Sequence, residues 1–202
     1  MSGSFLAEPA ASAEAQALYD EDLADDGFVW NASRLWAHQP DTLRQLFELM
    51  SDAFEASGLT FRQRGILVTA TASTLGDSYC SLAWGGKLAG ASDPALAAGV
   101  LAGDDARLTD QEKAMAAWAR TVASDPNATT PADVQALRES GLDDGQIFAI
   151  TAFIALRLAF ATINDSLGAQ PDAQLVQSLP REVREAVTYG RPVAVAGAGD
   201  SA

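Results

Sequence analysis

One thiol and one imidazole set the limits of the chemistry open to this chain of 202 residues: Cys80 is its single cysteine and His38 its single histidine. Asp77 precedes Cys80 by three residues and Trp84 follows it by four, so on a helix the three side chains share one face. A cysteine acts as a nucleophile only as the thiolate, which a neighbouring cation or a helix N-terminus favours. Asp77 and the Trp84 ring both oppose thiolate formation, and an early position in a helix helps it only by a modest dipole effect. No carboxylate lies between Glu55 and Asp77 to relay a proton, and no second cysteine can close a disulfide. Peroxide turnover at Cys80 would therefore require an outside thiol. The same residue also suits a buried, inert position between helices. His38, between Trp36 and Pro40, could cap a helix end or act as a base. Arg157 lies inside a long apolar run, where it needs an acid or carbonyl partner, or, beside a pocket, could hold a carboxylate.

These counts exclude much. One Cys and one His cannot build a multi-thiolate zinc site or a multi-histidine centre, so no metal and no cofactor is expected. A Ser-His-Asp triad would have to run through His38. Gly85-Gly86-Lys87 lacks the strand and glycine span of a phosphate-binding loop, and Gly99 with Gly103 makes no dinucleotide fingerprint. The acidic pairs Asp25-Asp26, Asp104-Asp105 and Asp143-Asp144 read as loop and cap residues. With 13 Lys+Arg against 27 Asp+Glu the net charge is −14, a field that repels phosphate backbones and anionic lipid. Neither nucleic acid nor a membrane is expected as a partner. The N-terminus has no basic region before an apolar stretch, so the protein reads as cytoplasmic. The apolar run over 147–163 is short for a membrane span and contains Arg157; it reads as a buried helix. Being apolar on nearly every face, that helix points to a homo-oligomer.

The elements that must position these residues are all helical. No run alternates apolar and polar residues between turns as a strand would. Thr60 with Gln63, Thr109 with Glu112 and Asp143 with Gln146 fit capping boxes, and Asp93-Pro94 and Thr130-Pro131 place proline just inside a helix start. Helices are expected over 10–23, 32–38, 41–56, from 60 to Gly76, 77–89, 94–101, 109–123, 131–138, 143–167 and 180–189. Leu43, Leu46, Phe47, Met50 and Phe54 form one buried stripe. From Arg191 onward the chain has no periodicity and reads as a frayed tail.

In this frame several segments, in order, resemble the alkylhydroperoxidase D-like branch of the carboxymuconolactone decarboxylase superfamily, particularly its peroxidase-related members. They begin with Gly27-Phe28-Val29-Trp30-Asn31 followed by Arg34, Ala37 and Pro40, with Trp30 standing where proline is usual. Leu59-Thr60-Phe61-Arg62-Gln63-Arg64 then precedes the central apolar helix, and Asp77-Ser78-Tyr79-Cys80 falls at the redox motif. Leu108-Thr109 through Trp118-Ala119, Leu137-Arg138 through Gly141-Leu142, and Leu167-Gly168 before Pro171-Asp172 complete the order. The resemblance covers most of residues 25–172. It divides the chain into an N-terminal helical extension (1–24), an alkylhydroperoxidase D-like domain (25–190) and a flexible tail (191–202).

The resemblance implies an all-α, oligomeric fold with sites near subunit boundaries, and in redox members a C-x-x-C-x-x-x-H motif preceded by a glutamate. Here Asp77 replaces the first cysteine, Cys80 matches the second, Trp84 takes the histidine position and Gly65 the glutamate position. The implied reading is a diverged protein without dithiol peroxidase machinery that binds or converts a small apolar or aromatic molecule. The alternatives are a one-cysteine peroxidase using Cys80, a cofactor-free lyase or isomerase using Asp77 or His38, and a non-catalytic oligomeric binding protein. Cys80 and Asp77 are the candidate catalytic residues, and Tyr79, Trp84, Trp30 and His38 the candidate pocket residues. Asp77, Tyr79, Cys80 and Trp84 are expected to border a mostly apolar cavity.

Overall fold

The computed structural model describes residues 3–195, and helix starts written into the sequence organise it. Thr60, Thr109 and Asp143 each accept a hydrogen bond from the third residue of the helix they open, while Gln63, Glu112 and Gln146 return to the cap backbone. Thr130 and Asp133 form a fourth such box. Each cap is worth about 0.5–2 kcal/mol by satisfying amides that would otherwise lack partners. The helices are α1 (Ala13–Asp25), α2 (Asn31–Trp36), α3 (Pro40–Ser57), α4 (Phe61–Leu75), α5 (Ser78–Ala91) and α6 (Pro94–Ala102). They continue with α7 (Asp110–Ser124), a 3-10 turn (Pro126–Ala128), α8 (Pro131–Glu139), α9 (Asp144–Ser166), α10 (Ala173–Ser178) and α11 (Arg181–Ala186). No strand occurs among the described residues, so the fold is all-α as expected.

Helix α4 is the central rod. Every residue from Gly65 to Ala72 is buried, and the helix packs against α5, α6, α7 and α9. Gly65 permits the close approach of α5: a Cβ there would stand 3.2 Å from both Cβ and Cδ1 of Leu88. A longer side chain at Gly65 would have to displace Leu88. Gly76, with φ +71°, closes α4 in the left-handed region that favours glycine, and so turns the chain directly into α5.

Helix α9 lies against α3, α4, α7 and α8 through Ile147, Ile150, Phe153, Ile154 and Phe160. Among the described residues it is the one helix long and apolar enough to cross a membrane, yet it packs as a core helix with Arg157 buried in it. Its outer face, with Phe148, Ala155, Ala159 and Thr162 exposed, has no partner among the described residues.

Three expectations need adjustment. Helix α10 has no counterpart in the sequence reading, and α11 is shorter than the expected 180–189. The expected tail is tied down at its start, because Ser78 Oγ donates to the Arg191 carbonyl and the Ala194 amide to the Pro171 carbonyl. The rest of that tail, 196–202, lies outside the described residues.

Candidate functional site

The turn at Gly76 places Asp77 as the N-cap of α5, where its Oδ1 accepts from the Cys80 amide at 2.9 Å. From that start the helix presents Tyr79 and Cys80, then Ala83 and Trp84, then Lys87, at the three- and four-residue steps of one face. This face forms one wall of a cavity of about 640 Å3. Opposite stand Arg157 and Phe160 of α9, Arg64 of α4, and Leu43 and Phe47 of α3. The mouth is acidic, with Glu21, Asp22 and Asp25 of α1 followed by Asp26 and Trp30. The volume suits a drug-sized organic molecule, for which pockets of ~300–1,000 Å3 are usual.

Of the sequence-derived candidates, Tyr79, Cys80, Trp84 and Trp30 lie on the cavity wall. Asp77 does not. Its side chain is 0% exposed behind the wall, and burial pushes its carboxyl above the usual carboxylate range. His38 is also outside the cavity: it is exposed, and its ring Nε2 hydrogen-bonds the Ala7 carbonyl at 3.0 Å, holding the N-terminal segment. That contact requires the proton on Nε2.

Cys80 is buried, and its thiol is pushed well above the ordinary range, first by burial and then by the Asp77 carboxylate. Arg157 opposes both, with Nη2 donating to Cys80 Sγ at 3.5 Å. Its Nη1 reaches Met50 Sδ at 3.8 Å, and its guanidinium lies 5.4 Å and 5.2 Å from the ring centroids of Trp84 and Phe160. The acid or carbonyl partner expected for Arg157 is thus replaced by sulfur and aromatic rings.

Two further cations meet on Trp84. The guanidinium of Arg64 is 5.1 Å from the indole centroid and Lys87 Nζ is also 5.1 Å away. Arg64 Nε is buried without a hydrogen-bond partner. Burial lowers both groups from their ordinary values; at Lys87 the Asp26 carboxylate opposes the shift, and in each case a neighbouring arginine adds to it. The sequence reading missed Arg64, and considered Lys87 only within a rejected phosphate-loop motif. The spacing of Lys87 from Cys80 and Trp84, seven and three residues, was the available clue.

Tyr79 joins the wall to the starts of α2 and α10. Its hydroxyl donates to Asp172 Oδ2 at 2.5 Å and accepts from the Ala32 amide at 3.2 Å, while Asp172 Oδ1 accepts from the Asn31 amide at 2.9 Å. Burial raises Asp172 to about 6, although these bonds oppose the shift. Trp30 is fixed by Nε1 donating to Asp26 Oδ2 at 2.8 Å, with its ring 6.2 Å from that of Tyr79.

The sequence matches no protein-family model and no curated protein. Among solved structures, the chain is similar to the alkylhydroperoxidase AhpD core of an uncharacterized peroxidase-related protein from Ralstonia eutropha JMP134. That match has 26% identity and a TM-score of 0.74, over 86% of this chain and 94% of the other. An uncharacterized peroxidase-related protein from Silicibacter sp. TM1040 shares the fold at 19% identity and a TM-score of 0.75, over 87% of this chain and 95% of the other. The fold is that of the alkylhydroperoxidase D-like superfamily, peroxidase-related branch.

Proposed function

We propose that the chain binds or converts a small organic molecule in the cavity beside Cys80, without dithiol redox chemistry. The observation that carries this reading is the single thiol itself: Cys80 opens on a cavity of about 640 Å3 whose walls contain no second sulfur nucleophile and no imidazole. A dithiol cycle requires a resolving thiol to condense with the sulfenic acid, and this chain has none. What the cavity supplies instead is an aromatic lining and several hydrogen-bond donors, the composition of a ligand site. Lyase or isomerase chemistry of the carboxymuconolactone decarboxylase kind would have to draw on groups other than Asp77 and His38, which lie off the wall.

The test is ligand-induced thermal stabilisation across a set of small aromatic and alicyclic compounds, repeated in Ala83→Phe, which intrudes on the cavity. Stabilisation by at least one compound, diminished in the variant, supports the reading; no stabilisation across the set overturns it. One observation favours a second reading, a one-cysteine peroxidase: Arg157 stands against the sulfur and favours its thiolate. Hydroperoxide consumption with an external thiol, lost in Cys80→Ser, would establish that reading in place of the first.

A further inference from the structure

In a chain with a net charge of −14, the cavity is lined by three cations that make no direct ion pair, the buried Arg157, the half-buried Arg64 and the exposed Lys87. Among the described residues, eight of the thirteen Lys and Arg side chains form ion pairs; of the five that form none, Arg184 and Arg191 lie away from the cavity, and Arg64, Lys87 and Arg157 all line it. Arg64 Nε is buried and unsatisfied, and Arg157 hydrogen-bonds only sulfur. Buried guanidinium groups without acceptors are costly, and a carboxylate is the acceptor whose two oxygens match their planar donors.

The surroundings narrow the ligand further. The wall beside the cations is aromatic, with Trp84, Trp30, Phe47 and Phe160 available to an apolar body. The mouth carries Glu21, Asp22, Asp25 and Asp26, a negative rim that disfavours ligands of high charge and rewards one whose single charge travels inward to the arginines. We infer that the cavity takes a small aromatic monocarboxylate, its carboxylate received by Arg64 and Arg157 with Lys87 alongside, and its ring against the aromatic wall. The inference rests on reading the cavity as a ligand site, and goes further by naming the ligand's charge and the residues that read it.

Titration calorimetry and thermal shift with benzoate, phenylacetate and 1-naphthoate, against benzyl alcohol and inorganic phosphate, test it. At least one acid should bind at least tenfold more tightly than benzyl alcohol, with phosphate weaker than that acid. Arg64→Gln and Lys87→Met should each weaken the acid at least threefold, and by a larger factor than they weaken the alcohol. Arg157→Lys, which keeps the charge in the core, serves as the folded variant at that position and should weaken the acid by losing the planar fork. Equal binding of acid and alcohol overturns the inference and leaves the cavity a ligand site. Phosphate binding as tightly as the acids also overturns it, since the ring then contributes nothing. Failure of both acids and alcohol to bind overturns this inference, and the wider set of aromatic and alicyclic compounds then decides the broader reading separately.

Discussion

Arg157 Nη2 donates to Cys80 Sγ at 3.5 Å, across the 77 residues that separate them in the chain. The contact ties the candidate nucleophile to the candidate anion receptor, and makes the sulfur's protonation depend on charges contributed by two helices. Burial and Asp77 hold the proton on the sulfur, while Arg157 favours its loss. With burial the largest effect, the thiol predominates at neutral pH.

Cys80 should accordingly be a slow thiol. Alkylation by iodoacetamide at pH 7.5 is expected to be at least ~tenfold slower than that of free cysteine. Asp77→Asn keeps an N-cap oxygen for α5 while removing the charge, and should speed the reaction; Arg157→Gln should slow it. Mass spectrometry of the labelled protein over time reads all three rates. Alkylation of the wild type as fast as free cysteine would show a thiolate that this environment does not favour.

Asp172 makes stability depend on pH in a direction opposite to a salt-bridged carboxylate. Its folded value, about 6, lies above the ordinary carboxylate value, so the folded state binds the proton more tightly than the unfolded chain does. Stability should therefore rise as pH falls from 7.5 through 6 to 5. For a single buried group the rise is of order 1–2 kcal/mol, or about 2–8 °C in Tm. Asp165, also raised to about 6 by burial, acts in the same direction. Asp172→Asn should reduce the rise, and Tyr79→Phe, which removes a donor that favours the ionised form, should shift it to higher pH. A melting temperature that falls steadily between pH 7.5 and 5 would contradict this assignment.

The exposed stripe on α9 predicts association. Phe148 is 76% exposed, and Ala155, Ala159 and Thr162 continue its face along the helix. Burying such a surface against a second copy removes apolar area from water at ~25 cal/mol per Å2. Sedimentation at micromolar concentration should show more than one subunit, and Phe148→Glu should shift the distribution toward the single chain. A wild-type monomer would show that this face remains in water.

Local chemistry made most of the helices legible, and tertiary chemistry hid the rest. A capping oxygen and its amide lie three residues apart, so Thr60, Thr109 and Asp143 announce α4, α7 and α9 without reference to the fold. Helix α10 carries no such mark, because the carboxylate of its N-cap residue, Asp172, accepts from Tyr79 and Asn31 instead. The wall of α5 could be traced from the spacing of Cys80, Trp84 and Lys87. The meeting of Arg64 with Arg157 around Trp84 could not, since it depends on how α4, α5 and α9 pack. The same distance in sequence concealed the bond between Tyr79 and Asp172, 93 residues apart.

Trp84 gives the strongest single test of how wall and cations cooperate. The side chain is only 7% exposed, yet it borders the cavity and is approached by Arg64, Lys87 and Arg157. Each cation over an indole is worth about 0.5–2 kcal/mol, least at the exposed Lys87 and most at the buried Arg157, so the ring holds together charges that would otherwise repel. Trp84→Ala should cost roughly 3–5 kcal/mol through lost packing, with loss of the ring's attraction to the three cations as an added penalty. Trp84→Phe keeps a ring but removes the N–H, and should cost less. Ligand-induced stabilisation should disappear in Trp84→Ala and persist, weakened, in Trp84→Phe. Chemical denaturation supplies the stability of each variant, and thermal shift with the tightest-binding acid supplies the ligand effect. A full ligand-induced shift in Trp84→Ala, measured on protein that remains folded, would mean that the indole fills space beside the cavity without forming the surface the ligand meets.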